Sequence, residues 1–148
     1  MTVPSRASTV ATPWHLWLVG VLALLWNSMG AFDYLMTQTR NESYMSQFTP
    51  EQLAYFYAFP AWVVSTWALS VWGGVLASVL LLLRNRWAVT VFGVSLVTMV
   101  ITTIYNFGLT NGAEVMGTFG LVFSAVIFAL AVALFLYARH LARVGVLR

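Results

Sequence analysis

The residues of this chain able to do chemistry gather in one stretch. Trp26 to Thr37 reads W-N-S-M-G-A-F-D-Y-L-M-T, and Asp33 is the only carboxylate set inside an apolar run. A carboxylate at membrane depth is a group that binds a proton or the donor of a polar ligand. Asn27, Gly30, Asp33, Tyr34 and Thr37 recur at steps of three and four. That spacing places them on one side of a helix, and such a side faces other helices rather than lipid. Tyr105, Asn106 and Glu114 lie at the matching depth of later segments. The candidate ligand-binding set is therefore Asp33, Asn27, Tyr34, Tyr105, Asn106 and Glu114.

Each member has a plainer reading beside the functional one. Asp33 lies roughly 28 Å along the helix from Trp14, near the far interface, where water can hydrate it. It also sits at a helix C-terminal end, where the dipole disfavours negative charge, so it calls for a donor. Arg40, Tyr105 and Asn106 are the expected donors. Glu114 in the first turn of a helix is favoured by the dipole alone. Asn27 lies deeper and suits a hydrogen bond between helices. Trp62, Trp67 and Trp72 could stack a ring or sugar, or serve as packing.

The elements that must hold these residues follow from composition. Of 148 residues, 61% are apolar and only 7% charged. So few charges cannot cover a water-soluble surface, and the bilayer must be the solvent. Cysteine is absent, which excludes disulfides and thiolate metal sites. His15 and His140 are far apart in the chain and predict no metal site. No H-E-x-x-H, phosphate loop or clustered acidic motif occurs, so the expectation is a non-enzyme with no catalytic residue, cofactor or metal.

Residues 1–13 read as a polar cytoplasmic lead. The first span covers about 14–36, since roughly 20 apolar residues cross a core of ~30 Å. A signal peptide competes here: Arg6, the run Leu16 to Leu25, then Ser28, Gly30 and Ala31. Bulky Trp26 and the apolar residues beyond it favour a retained helix. Thr49-Pro50-Glu51-Gln52 is a capping box with Pro at the first helical position. The helix it starts would be far too long for one span, and Pro60 must break it. That leaves a short aromatic interfacial helix before the second span, about 61–83. Arg84-Asn85-Arg86 forces a hairpin into the third span, about 87–109. Asn111-Gly112 supplies a left-handed turn before the fourth, about 114–137. A basic cytoplasmic tail takes 138–148. The fold class is all-α, an up-down bundle of four transmembrane helices forming a single domain.

All seven basic residues are arginine. With four spans, six of them fall on one side and only Arg40 on the other, while the four acidic residues fall opposite. The positive-inside rule then puts both termini in the cytoplasm. This segregation accounts for the net charge of +3 without nucleic acid. The Asn41-Glu42-Ser43 sequon fits the external loop.

The half of each span nearer the arginines is plain and apolar. The other half carries Ser65, Thr66, Thr102, Thr103, Thr118 and Ser124 beside the candidate set. Small residues make ridges at Ser70, Gly74 and Ser78 and at Gly117, Gly120 and Ser124, devices that let helices approach closely. The expectation is a tight bundle with a polar pocket opening outward.

Trp26-Asn27 with Met29-Gly30, Pro60-Ala61-Trp62-Val63, Val71-Trp72-Gly73-Gly74, Leu80 to Arg84 with Trp87-Ala88, Ser95-Leu96, Tyr105 and Tyr137-Ala138-Arg139 together form a pattern. Nearly the whole chain resembles a family of small bacterial four-span membrane proteins often labelled sugar transporters. The resemblance implies a bacterial inner-membrane protein and carries over no binding residues. Two functions stand: a small transporter of a polar, sugar-like solute led by Asp33, or a non-catalytic accessory or assembly subunit. The expected partners are the lipid bilayer and either further copies of the chain or another membrane protein.

Overall fold

The computed structural model describes residues 10–148, so most of the polar lead lies outside the described residues. Six α-helices follow: α1 Trp14–Gln38, α2 Glu42–Met45, α3 Pro50–Tyr57, α4 Ala61–Leu82, α5 Trp87–Ile104 and α6 Gly112–Arg143. Helix α5 runs on as a π-helical turn, Tyr105–Leu109. Four helices are long and apolar enough to cross a membrane: Trp14–Gln38, Ala61–Leu82, Trp87–Leu109 and Gly112–Arg143. The protein is an all-α, multi-pass membrane protein built on a four-helix bundle. The expected basic tail is helical as far as Arg143, with His140 and Arg143 suited to the negative end of the helix dipole.

Helix α4 is the hub. It packs against α1 on one side and α5 on the other, and α6 packs on α5. Long side chains reach across between α1 and α6. His15 Nδ1 and the Tyr137 hydroxyl are 2.5 Å apart near one end, and Trp26 meets Phe123 at 6.1 Å between ring centroids further along.

Three spans end alike. After α1, the amide of Asn41 donates to Met36 O and that of Arg40 to Thr37 O. After α4, Asn85 donates to Leu80 O and Arg84 to Leu81 O; after α6, Val146 donates to Leu141 O and Gly145 to Ala142 O. Each is a Schellman motif, which satisfies the last carbonyls through one left-handed residue. That residue is Gly145 after α6, at φ 83°, but Arg40 and Arg84 after the other two, at 52° and 56°. Arginine there costs about 1 kcal/mol relative to glycine. Arg84 recovers a use for its side chain: Nε donates to Val146 O at 3.3 Å, drawing the end of the described chain onto the hairpin. Arg148 completes that contact, its amide donating to Arg84 O and its carbonyl accepting from the Arg86 amide.

The Asn111-Gly112 expectation fails in its reason. Neither residue is left-handed; Asn111 has φ −86° and Gly112 opens α6. Glycine is required at 112 because a Cβ would strike Asn106 O and come within 2.6 Å of the Tyr55 hydroxyl. The left-handed glycine is instead Gly117, φ 69°, which breaks α6 inside its second turn.

The capping box forms as the sequence requires. Thr49 accepts from the Gln52 amide at 3.2 Å, and the Gln52 side chain accepts from the Thr49 amide at 3.1 Å. Pro60 ends the continuity and starts α4 at φ −66°.

The buried apolar core lies at the arginine-bearing end of the bundle. Leu16, Ala77, Leu81, Ala88, Phe92, Ala138, Leu141, Val146 and Leu147 form one cluster there. The other end, which carries the acidic residues, is closed by rings. Phe59 meets Tyr55 at 5.3 Å, Trp67 at 6.1 Å and Tyr105 at 5.6 Å, all edge to face.

Candidate functional site

Asn27, Gly30 and Tyr34 on the polar face of α1 turn inward toward α4, as the spacing requires. At mid-depth Asn27 Nδ2 donates to Ala23 O at 2.8 Å and to Ser78 Oγ at 3.3 Å. Ser78 in turn donates to Gly74 O at 2.8 Å. A Cβ on Gly74 would overlap the Asn27 amide, so the Ser70-Gly74-Ser78 ridge is the seat into which α1 fits. The same ridge meets α5, where Ser95 Oγ donates to Ser70 O at 2.6 Å. Asn27 is thus a fastener between helices with its amide donor occupied.

Asp33 points toward the loop rather than into the bundle. Its donor is none of the three expected; Tyr44 Oη donates to Oδ1 at 2.5 Å. The turn through Arg40 reverses the chain, and Asn41 then caps α2 by accepting from the Tyr44 amide at 3.0 Å. The helix so started delivers the Tyr44 ring against Phe32 at 5.6 Å and its hydroxyl onto Asp33. Burial first, and then the bonded carboxylate, push the Tyr44 hydroxyl up to about 12, so it stays a donor throughout the physiological range. Arg40 lies instead over the Tyr57 ring, 4.2 Å from its centroid, as a cation–π contact.

Asn106 lies in the π-helical turn. Its Oδ1 accepts from Tyr55 Oη at 2.7 Å, and Thr110 Oγ1 lies 2.8 Å from the same hydroxyl. Thr110 also donates to Tyr105 O at 2.9 Å, closing the wider turn. Burial holds the Tyr55 hydroxyl above the usual tyrosine range. Tyr105 stands edge-on to Phe59 and to Trp62, the latter at 5.5 Å. Tyr34 stands edge-on to Trp67 at 4.9 Å. Glu114 is exposed in the first turn of α6.

The six candidate residues therefore divide. Tyr34, Tyr105 and Asn106 are joined through the aromatic cluster around Phe59, and Asp33 reaches the same cluster through Tyr44, Phe48 and Phe56, while Asn27 and Glu114 stand apart from it. Several other hydroxyls are also taken up. Thr66 and Thr102 pair at 2.8 Å between α4 and α5, and Thr103 donates to Met99 O at 2.8 Å. Two grooves lie away from the candidate set. One, of about 420 Å³, is lined by Ala68, Leu69, Trp72, Gly73, Leu76, Val91 and Val94 and is apolar. The other opens among the arginines at the opposite end.

Sequence reasoning passed over Tyr44, Tyr55 and Thr110. Tyr55 carried a signal, since it lies on a capped helix placed beside the interface. Tyr44 carried none, because its reach to Asp33 depends on the handedness of the Arg40 turn.

The two glycine ridges differ in use. Gly117 has open space where a Cβ would go, and at Gly120 a Cβ would first strike Met116 of its own helix. Among the described residues, the space at Gly117 is not filled by another helix, whereas Gly120 is buried. Phe119, 80% exposed, stacks flat on Phe123 with centroids 6.0 Å apart. No family model, curated protein or solved structure matches the chain.

Proposed function

We propose that this chain is a non-catalytic accessory or assembly subunit of a larger membrane complex, held in a bacterial inner membrane with both termini cytoplasmic. The observation that carries the reading is the open position at Gly117 on α6. A small-residue ridge lets another backbone approach, and the one on α4 is filled from within the chain while the one on α6 keeps open space at Gly117. The exposed Phe119–Phe123 stack beside it offers a large, rigid apolar contact. Neither of the two grooves described above is lined by any of the six candidate residues, which supports the same reading over solute transport, a task that needs convergent groups around one cavity. The arginine-rich end faces the cytoplasm by the positive-inside rule.

The test is purification of the tagged protein from its native membrane in gentle detergent, with mass determination and identification of whatever elutes with it. A defined heteromeric complex is expected, and Ser124→Leu, which thickens the ridge, should release the partner without changing the melting temperature of the isolated chain. Recovery of a lone homo-oligomer would sink the subunit reading. Solute uptake abolished by Asp33→Asn in a normally folded protein would replace it with transport.

A further inference from the structure

We propose that the groove between α5 and α6 at the arginine-bearing end binds the headgroup phosphate of an anionic phospholipid. Arg86 at the start of α5 and Arg139 and Arg143 on α6 line a cavity of about 320 Å³ with Val89, Thr90 and Ala142. Arg139 and Arg143 are four residues apart, so they stack on one face of the helix and repel each other. Their position in the last turns of α6 favours positive charge through the dipole, but that would be served by either alone. No carboxylate side chain is placed to neutralise them. Asp33, Glu42, Glu51 and Glu114 all belong to the opposite end of the bundle.

The depth is that of lipid phosphates. Trp87, 63% exposed, directly follows Arg86, and Trp14, 74% exposed, lies at the same end. Exposed tryptophans at helix ends mark the headgroup level. Basic pockets between spans at that level bind lipid headgroups, and the guanidinium fork matches phosphate oxygens two at a time. Val89 and Ala142 give the groove an apolar floor continuous with the helix surfaces, which suits the acyl end of a lipid and not a free ion. The exposed Thr90 adds a hydroxyl within the same lining.

The test is native mass spectrometry of the full-length protein in detergent, with phosphatidylglycerol, phosphatidylcholine of the same chains, or inorganic phosphate added. Wild type should retain phosphatidylglycerol in preference to phosphatidylcholine. Arg139→Gln with Arg143→Gln should lower that retention about tenfold or more, from about fivefold per arginine near an anionic surface. Arg40→Gln removes an arginine charge at the opposite end of the bundle, away from the groove, and should leave retention unchanged. Arg86→Lys keeps the charge but loses the fork, and should weaken retention partially, which tests the site even where the double variant fails to fold. A loss per arginine removed that is as large for Arg40→Gln as for the double variant would overturn the proposal in favour of diffuse attraction. Thermal protection by inorganic phosphate equal to that by phosphatidylglycerol would overturn it in favour of a soluble anion.

Discussion

The two ends of the bundle are held by different physics. At the arginine-bearing end, Leu16, Leu81, Leu141 and their neighbours form a close apolar cluster, locked by the chain end returning to Arg84 and Arg86. At the acidic end the contacts are aromatic edges and directed hydrogen bonds, Tyr55 to Asn106 and Tyr44 to Asp33. Apolar packing tolerates changes of pH and fails mainly through lost volume. Directed polar contacts at an interface fail one atom at a time, and they respond to protonation. One end is therefore a clamp and the other an adjustable closure.

Removing volume from the clamp should have the largest effect. Leu81 is fully buried, and Leu81→Ala should cost about 2–5 kcal/mol, read as a large fall in melting temperature in detergent. A small fall would mean that the clamp end does not carry the fold. Next comes Tyr55→Phe, which removes the hydroxyl shared by Asn106 and Thr110 and should cost about 1–3 kcal/mol. Hydrogen exchange should then rise in the Tyr105–Leu109 turn and not around Leu81; a uniform rise would erase the distinction between the ends.

The smallest effect is one of pH. The Tyr44 hydroxyl titrates at about 12 in the folded protein against 10.0 as an ordinary side chain. The folded state holds that proton more tightly, so the contribution is complete below about 10 and is lost as pH rises toward 12. Melting curves across that window should show wild type losing stability faster than Tyr44→Phe. Parallel curves would show that Tyr44 does not couple to folding.

Much of the fold was legible in the chain. The spans were visible as apolar runs, because a bilayer permits few charges and demands about 20 residues per crossing. The Thr49–Gln52 capping box and the Pro60 break were visible because they are local chemistry. The inward face of α1 was visible because helical spacing decides which side chains share a side. The candidate site was less legible. Asp33 was conspicuous, yet its partner Tyr44 was not, and Arg40 turned to Tyr57 instead.

By itself, then, the sequence determined the class of object, the number and order of its crossings and the segregation of its charges, since each rests on the solvent a segment tolerates or on bonds to near neighbours. Only the tertiary structure decided which of two similar glycine ridges is filled. The ridge on α4 receives Asn27 of α1, whereas that on α6 is broken by the left-handed Gly117, where open space remains, and is covered at Gly120 by Met116 of the same helix. Small residues state that a close approach is possible. Which backbone makes it depends on helix direction and on a single backbone angle, and neither is written in the spacing.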